Sequence, residues 1–345
     1  MSVTAPEAAW FHQTFTAIVE SIEKAFLGRT EVVAAAVTCL FAQGHLLLED
    51  NAGSGKTTLA RSLSRCVSGS QARIQFTADL TPEDIIGTMV WDERHRQFRL
   101  QTGPLFNSMI LADELNRALP RTQSALLEVM EERQVTVRGV SSPIGPPFMV
   151  IATQNAMDSI GTNALPEATL DRFMMRLQIG QPSSADAARL LSESAIRDRS
   201  AVVTTMVNSQ SLKAAFDIVD RVEIAQPLID WMVALMEETR VRDGVRTGVS
   251  IRGGMSLTRA VRAWALAHGR PAAIAQDLID LSHAVFDHRV IIEDAALREG
   301  RTGNQVMMEA LAHVGEPPDV GVPEPTVLPR VAPPDLESVA YEPTQ

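Results

Sequence analysis

Cysteine is nearly absent from this chain: Cys39 and Cys66 are the two among 345 residues. Both fall in stretches that read as helix, where they serve as small buried hydrophobes and point to a reducing compartment. Basic side chains are also short in supply, with 31 Lys and Arg against 42 Asp and Glu and a formal net charge of -11. Sequence-independent binding to phosphate backbones draws on clustered Lys and Arg, so a helicase or DNA clamp is disfavoured and no nucleic-acid partner is expected. No run of about 18 consecutive apolar residues occurs, and the first residues lack the basic start and apolar stretch of a signal peptide. The chain therefore reads as cytoplasmic, without direct membrane insertion. From 315 to 345 it is rich in Pro, Glu, Asp and Val and has no helical or strand period, which predicts a flexible extension.

What is present is substantial: 45% of residues are hydrophobic, enough for one large core and a smaller second one. Helical spacing of Phe15, Ile18, Val19, Ile22 and Phe26, and a second helix over 31–42, precede the apolar run His45-Leu46-Leu47-Leu48, which reads as a buried strand. Further strands are predicted at 73–77, 108–112 and 148–153, with a hairpin at 89–101, a helix over 122–133 and a short strand at 134–138. Strands alternating with helices argue an α/β fold, a parallel sheet covered on both faces. Beyond Pro182 the spacing predicts helices only, over 185–198, 212–220, 227–240, 255–268 and 274–288. The expected domains are 1–182 and 183–314, the second smaller and all helical.

Between the first strand and the next helix lies Asn51-Ala52-Gly53-Ser54-Gly55-Lys56-Thr57-Thr58. Gly53 and Gly55 let backbone N–H groups turn inward around phosphate oxygens, and the helix N-terminus adds partial positive charge. Lys56 supplies a mobile charge for the β- and γ-phosphates of ATP, and the Thr57 hydroxyl can join a Mg2+ shell. The strict P-loop pattern has glycine where this chain has Asp50.

The strand Met109-Ile110-Leu111-Ala112 ends in Asp113 and Glu114, which brings two acids to the carboxyl edge of a parallel sheet beside the phosphates. Asp113 is a candidate magnesium residue, acting through water. Glu114 is the candidate that polarises the attacking water. Asn155, after the strand at 148–153, lies between these sites if that strand neighbours the acid-bearing one. It would then bond the γ-phosphate or the water; otherwise it is a strand-end turn.

Together these segments closely resemble the MoxR family of AAA+ ATPases. The most specific block is Leu-Ala-Asp-Glu-Leu-Asn-Arg-Ala at 111–118 with Arg121 to Glu128 and Met130 to Thr136. Arg73 to Thr77, Asp79 to Gly87, Leu48-Glu49-Asp50 and Ala152-Thr153-Gln154-Asn155 resemble the same family, whose usual approach to the loop includes an aspartate at position 50. The resemblance implies a P-loop AAA+ αβα sandwich with a helical lid, working as a homo-oligomer, commonly a hexameric ring. It gives Arg172, in Leu170-Asp171-Arg172-Phe173, the part of an arginine finger, although alone it reads equally as a helix-end salt-bridge residue. Arg252, in Ser250-Ile251-Arg252-Gly253, resembles the sensor-2 arginine, with Ile251 where the family favours proline. Residues 88–102 and 134–147 resemble its helix-2 and pre-sensor-1 inserts, which line the ring axis or face partners. Arg94, Arg96 and Arg99 could there grip an acidic partner, or simply be a solvated tip. The implied role is chaperone-like remodelling or maturation of a client enzyme complex, metal-cofactor insertion included, with a von Willebrand A-domain partner. A nucleotide-gated binding scaffold and a DNA-remodelling motor are the alternatives.

Overall fold

The computed structural model describes residues 2–155 and 165–321. Two helices, α1 (Ala5–Glu23) and α2 (Thr30–Phe41), open the chain. Thr4 and Glu7 cap α1 reciprocally, and Pro6 sits in the first turn, where a missing N–H breaks no bond. Next come β1 (Leu46–Asp50), α3 (Lys56–Arg65), β2 (Gln71–Gln75) and α4 (Pro82–Ile86). A hairpin of β3 (Gly87–Asp92) and β4 (Gln97–Thr102) leads to β5 (Met109–Asp113) and α5 (Pro120–Glu132). A second hairpin, β6 (Gln134–Val137) with β7 (Val140–Pro143), precedes β8 (Met149–Asn155), and α6 (Glu167–Leu170) precedes β9 (Met175–Gln178).

Five strands form one parallel sheet in the order β2-β5-β8-β1-β9. Strand β9 was not expected from the sequence. Its register, Leu46↔Met175 and Leu48↔Leu177, makes it the edge beside β1. Side chains alternate across the sheet with the two-residue period of a strand. Leu46, Leu48, Met109, Leu111, Met149 and Ile151 join one apolar cluster, and Leu47, Ile110, Ala112, Val150 and Ala152 join the other. The first cluster takes in α1, α2 and α3 and runs on into the helices after residue 182; the second takes in α4 and α5. The two cores thus divide by sheet face, not one to each expected domain.

The remaining helices are α7 (Ser184–Ser192), α8 (Ser209–Asp220), α9 (Gln226–Val241), α10 (Ile251–Ala267), α11 (Ala275–Phe286), α12 (Asp294–Arg298) and α13 (Gly303–Val314). This part is helical but not purely so, because β10 (Val245–Thr247) pairs antiparallel with β11 (Ile291–Ile292). The helix expected to reach Asp198 stops at Ser192. Asp198 instead caps a following 3-10 turn, its carboxylate accepting from the Ser200 N–H at 3.1 Å. Most of the extension expected from 315 onward falls at 322–345, outside the described residues.

Candidate functional site

A parallel sheet gathers the ends of its strands, and here Asp50, Gln75, Asp113 and Asn155 all finish at one edge. The glycine loop leaves β1 at that edge. Gly53 and Gly55 have φ of +83° and +95°, the left-handed region that only glycine enters freely. Space demands glycine as well, since a Cβ on Gly55 would lie 2.9 Å from the Phe26 ring. Lys56 is buried, and its ammonium donates to the Asp50 and Asn51 carbonyls, each at 2.7 Å, folding across the loop. Asp50 has its own work: one carboxylate oxygen accepts from the Asn51 N–H and the other from the Gly180 N–H, both at 2.6 Å. It straps the exit of β1 to the exit of β9, which explains why the loop begins with aspartate. Ala52, Gly53, Ser54, Gly55 and Thr58 line a cavity of about 340 Å³, closed by Phe26 and Arg29 on one side and Pro182, Leu190 and Arg199 on the other.

Beside the loop, Asp113 is a buried hub. Its Oδ1 accepts from Thr57 at 3.3 Å and from Thr153 at 3.1 Å, while Oδ2 accepts from Arg73 Nε at 2.7 Å. Glu114 follows in the left-handed conformation at φ 57°, which costs a non-glycine residue on the order of 1 kcal/mol. Its N–H donates to Thr153 Oγ1 at 3.1 Å, and its Oε2 accepts from Gln75 at 3.1 Å and Arg117 at 3.0 Å. Strand β8 does lie between β1 and β5, with Asn155 in register with Asp50, so the condition for placing Asn155 at this edge is met. Among the described residues no three His, Cys, Asp or Glu side chains gather as a metal cluster. The Thr57 hydroxyl and the Asp113 carboxylate, in contact beside the loop, are a hard-donor pair that fits magnesium, which keeps waters and takes phosphate oxygens for the rest.

Arg172 and Arg252 are elsewhere. Arg172 precedes β9, so it sits at the amino edge of the sheet, and donates from Nε to Glu131 Oε2 at 2.9 Å. Arg252 donates to the other oxygen of the same carboxylate at 2.5 Å, and its Nε is 3.8 Å from Asp171. Hydrogen bonds from Arg252, and then from Arg172, hold the Glu131 carboxyl below its ordinary range. These arginines line a second cavity of about 350 Å³ with His45, Arg133 and Arg259, and it shares no lining residue with the first. Five residues of β1 separate the two edges, and at a rise of roughly 3.3 Å per residue that is about 16 Å, beyond the reach of one arginine. His45 forms the floor here. Its Nε2 donates to the Met130 carbonyl at 3.2 Å and its Nδ1 accepts from the Val150 N–H at 3.0 Å, and burial pulls its pKa down to about 4.

Sequence reasoning reached the loop, the acids and both arginines but not the partners Arg73, Gln75, Thr153, Arg117 and Glu131. Arg73 and Glu131 lie inside the segments that carried the resemblance. Their partners, however, are 40 and 41 residues away and meet them only through sheet pairing and helix packing.

With the geometry in place, similarity to known proteins becomes informative. The family described as "ATPase family associated with various cellular activities (AAA)" matches residues 45–175, from the start of β1 to β9, and the AAA lid domain matches 237–310. Chaperone MoxR1 of Mycobacterium tuberculosis is 33% identical over 332 residues, covering 92% of this chain and 86% of that one. The chain belongs to the MoxR family of AAA+ ATPases. The uncharacterised protein YeaC of Bacillus subtilis is 35% identical over 309 residues, covering 89% of this chain and 96% of that one. A solved Cytophaga hutchinsonii protein assigned as an ATPase superposes with a TM-score of 0.81 at 28% identity, covering 90% of this chain and 97% of that one. As a MoxR ATPase the chain binds nucleotide and hydrolyses ATP. No helix among the described residues is long and apolar enough to cross a membrane.

Proposed function

We propose that this MoxR-family ATPase is a cytoplasmic ring machine, hexameric by its family resemblance, in which each ATP is held by one subunit and completed by the next. The observation that carries this reading is the separation of the two edges: Arg172 and Arg252 share Glu131 about 16 Å from their own phosphate loop. A neighbouring copy is the partner that this separation favours for bringing them to a γ-phosphate. Arg252, whose side of the interface was open from sequence, therefore acts with Arg172 across the subunit boundary.

Within a subunit the adenosine sits in the cavity between Phe26, Arg29, Pro182 and Leu190, with the phosphates on residues 51–58. Lys56 swings from the Asp50 and Asn51 carbonyls to the β- and γ-phosphates. Thr57 and Asp113 would hold a magnesium ion, which when bound would neutralise phosphate charge. Glu114 orients and polarises water from a backbone that Thr153 fixes, and Asn155 bonds that water or the γ-phosphate. Glu114 must leave Arg117 and Gln75 to do so.

Hydrolysis then alters how the helical part, 183–314, sits against the sheet-bearing part, 1–182, and the ring remodels a client. The chaperone name of the Mycobacterium relative supports a chaperone-like role; a client enzyme complex matured with a von Willebrand A-domain partner, metal-cofactor insertion included, is what the family resemblance adds. Exposed Trp91 and Phe98 on the first hairpin, beside Arg94, Arg96 and Arg99, support the inserts 88–102 and 134–147 as the surface that meets an acidic partner. The test is Glu114→Gln in the full chain. Retained ATP binding by calorimetry with turnover lowered by about 10² to 10⁴ supports the site, and unimpaired turnover removes it.

A further inference from the structure

Arg289 is the most enclosed charge at the amino edge, with a side chain only 1% exposed. It lies just past α11, and nearly everything it bonds belongs to the segment that carries Arg172. Its Nε donates to Asp171 Oδ1 at 2.9 Å, Nη1 to the Met174 carbonyl at 3.1 Å, and Nη2 to the Phe173 and Asp171 carbonyls at 2.8 and 3.1 Å. The Val285 carbonyl holds it from its own helix. His288, buried and neutral because burial pulls its pKa well down, donates from Nε2 to the same Phe173 carbonyl at 3.0 Å.

The same guanidinium reaches α10. Nη2 lies 3.3 Å from Ser256 Oγ, one turn beyond Arg252. Gly253 is small for this reason: a Cβ there would stand 2.9 Å from Arg289 Cδ and 2.7 Å from Val249. Asp171 closes the group, accepting from Arg289 on Oδ1 while Arg252 stands 3.8 Å from Oδ2. A planar guanidinium can serve several carbonyls and a carboxylate at once, whereas an ammonium on the same stem cannot.

We propose that Arg289 is a positioning residue, locking the strand of chain at 171–174 and the first turns of α10 into one unit, so that Arg172 and Arg252 are presented to the neighbouring nucleotide together. This rests on the reading that both arginines act across the subunit boundary. An arginine that merely fills the core would affect folding. One that positions affects turnover in the adjacent subunit and leaves its own nucleotide pocket alone.

The experiment uses full-length Arg289→Lys, which keeps the charge beside Asp171, and Gly253→Ala, which keeps every charge and displaces Arg289. Each is expected to retain ATP binding by calorimetry and to lose about 10² in kcat, the cost of a misplaced group of about 1 Å. Each is then mixed with an equal amount of Glu114→Gln, whose subunits present intact arginines but cannot activate water. Turnover should reappear in the mixture, as it should in the control mixture of Arg172→Ala with Glu114→Gln. If the control recovers and neither test mixture does, or if both variants turn over at the wild-type rate, the positioning role is wrong. A control that stays inactive overturns the cross-boundary reading and this proposal with it. Should Arg289→Lys fail to fold, as judged by thermal unfolding, Gly253→Ala alone decides by the same criteria.

Discussion

At the carboxyl edge of the sheet, Asp113 is buried and held by Thr57, Thr153 and Arg73, and Lys56 lies folded against its own loop. At the amino edge, Arg172 and Arg252 share one carboxylate, Glu131, that is 40% exposed. The first region is assembled within the chain. The second is parked on a surface acid, its bonds of a kind that contribute little to stability and exchange easily for a stronger anion. On the proposed reading a site divided in this way would tie chemistry to assembly, one edge positioning ATP and the other stabilising the charge that develops as the γ-phosphate leaves.

Three changes can break or sharpen this contrast. The largest effect belongs to Arg172→Ala, which should lower kcat by about 10³ to 10⁵ while leaving ATP affinity, read by titration calorimetry, as it was. A loss of affinity equal to the loss of rate would instead place Arg172 at its own nucleotide.

Next comes acid. His45 has a pKa drawn down to about 4 by burial, so the folded state keeps it neutral while the unfolded chain takes up a proton near 6.5. Its contribution is complete above 6.5 and is lost as pH falls toward 4, on the order of 3 kcal/mol in all. His288, also depressed by burial, loses stability in the same direction. Urea unfolding from pH 7 to pH 4 should show that loss, and His45→Asn should shrink it without abolishing it. An unchanged pH profile in the variant would mean that protonation of His45 is not the source of the loss.

The smallest effect is expected of Glu131→Gln. Its two partners are 25% and 49% exposed, so denaturation should shift by less than about 1 kcal/mol. A large loss would make the cluster a brace rather than a waiting contact.

The carboxyl edge was legible because its chemistry is contiguous. Residues 51–58 form one unbroken run and 113–114 another, and an apolar run leading into each sets its place on a parallel sheet. The amino edge was half legible: Arg172 and Arg252 entered through resemblance, but Glu131, which joins them, and Arg289, which stands behind them, belong to helices and turns far apart in sequence. No spacing rule links Arg289 to Asp171 across 118 residues. Strand β9 escaped because Met175–Gln178 is short and half polar and takes its identity from pairing with β1. The start of α1 was visible in principle, since Thr4 and Glu7 have the spacing of a capping box with Pro6 between them. The pair β10 and β11 was not, being three and two residues long.

Steady-state ATP turnover per subunit, followed across a dilution series with sedimentation on the same samples, tests the divided site most directly. Turnover per subunit should fall in step with loss of the assembly and be restored on concentrating. Constant turnover in samples that sediment as single chains would contradict it.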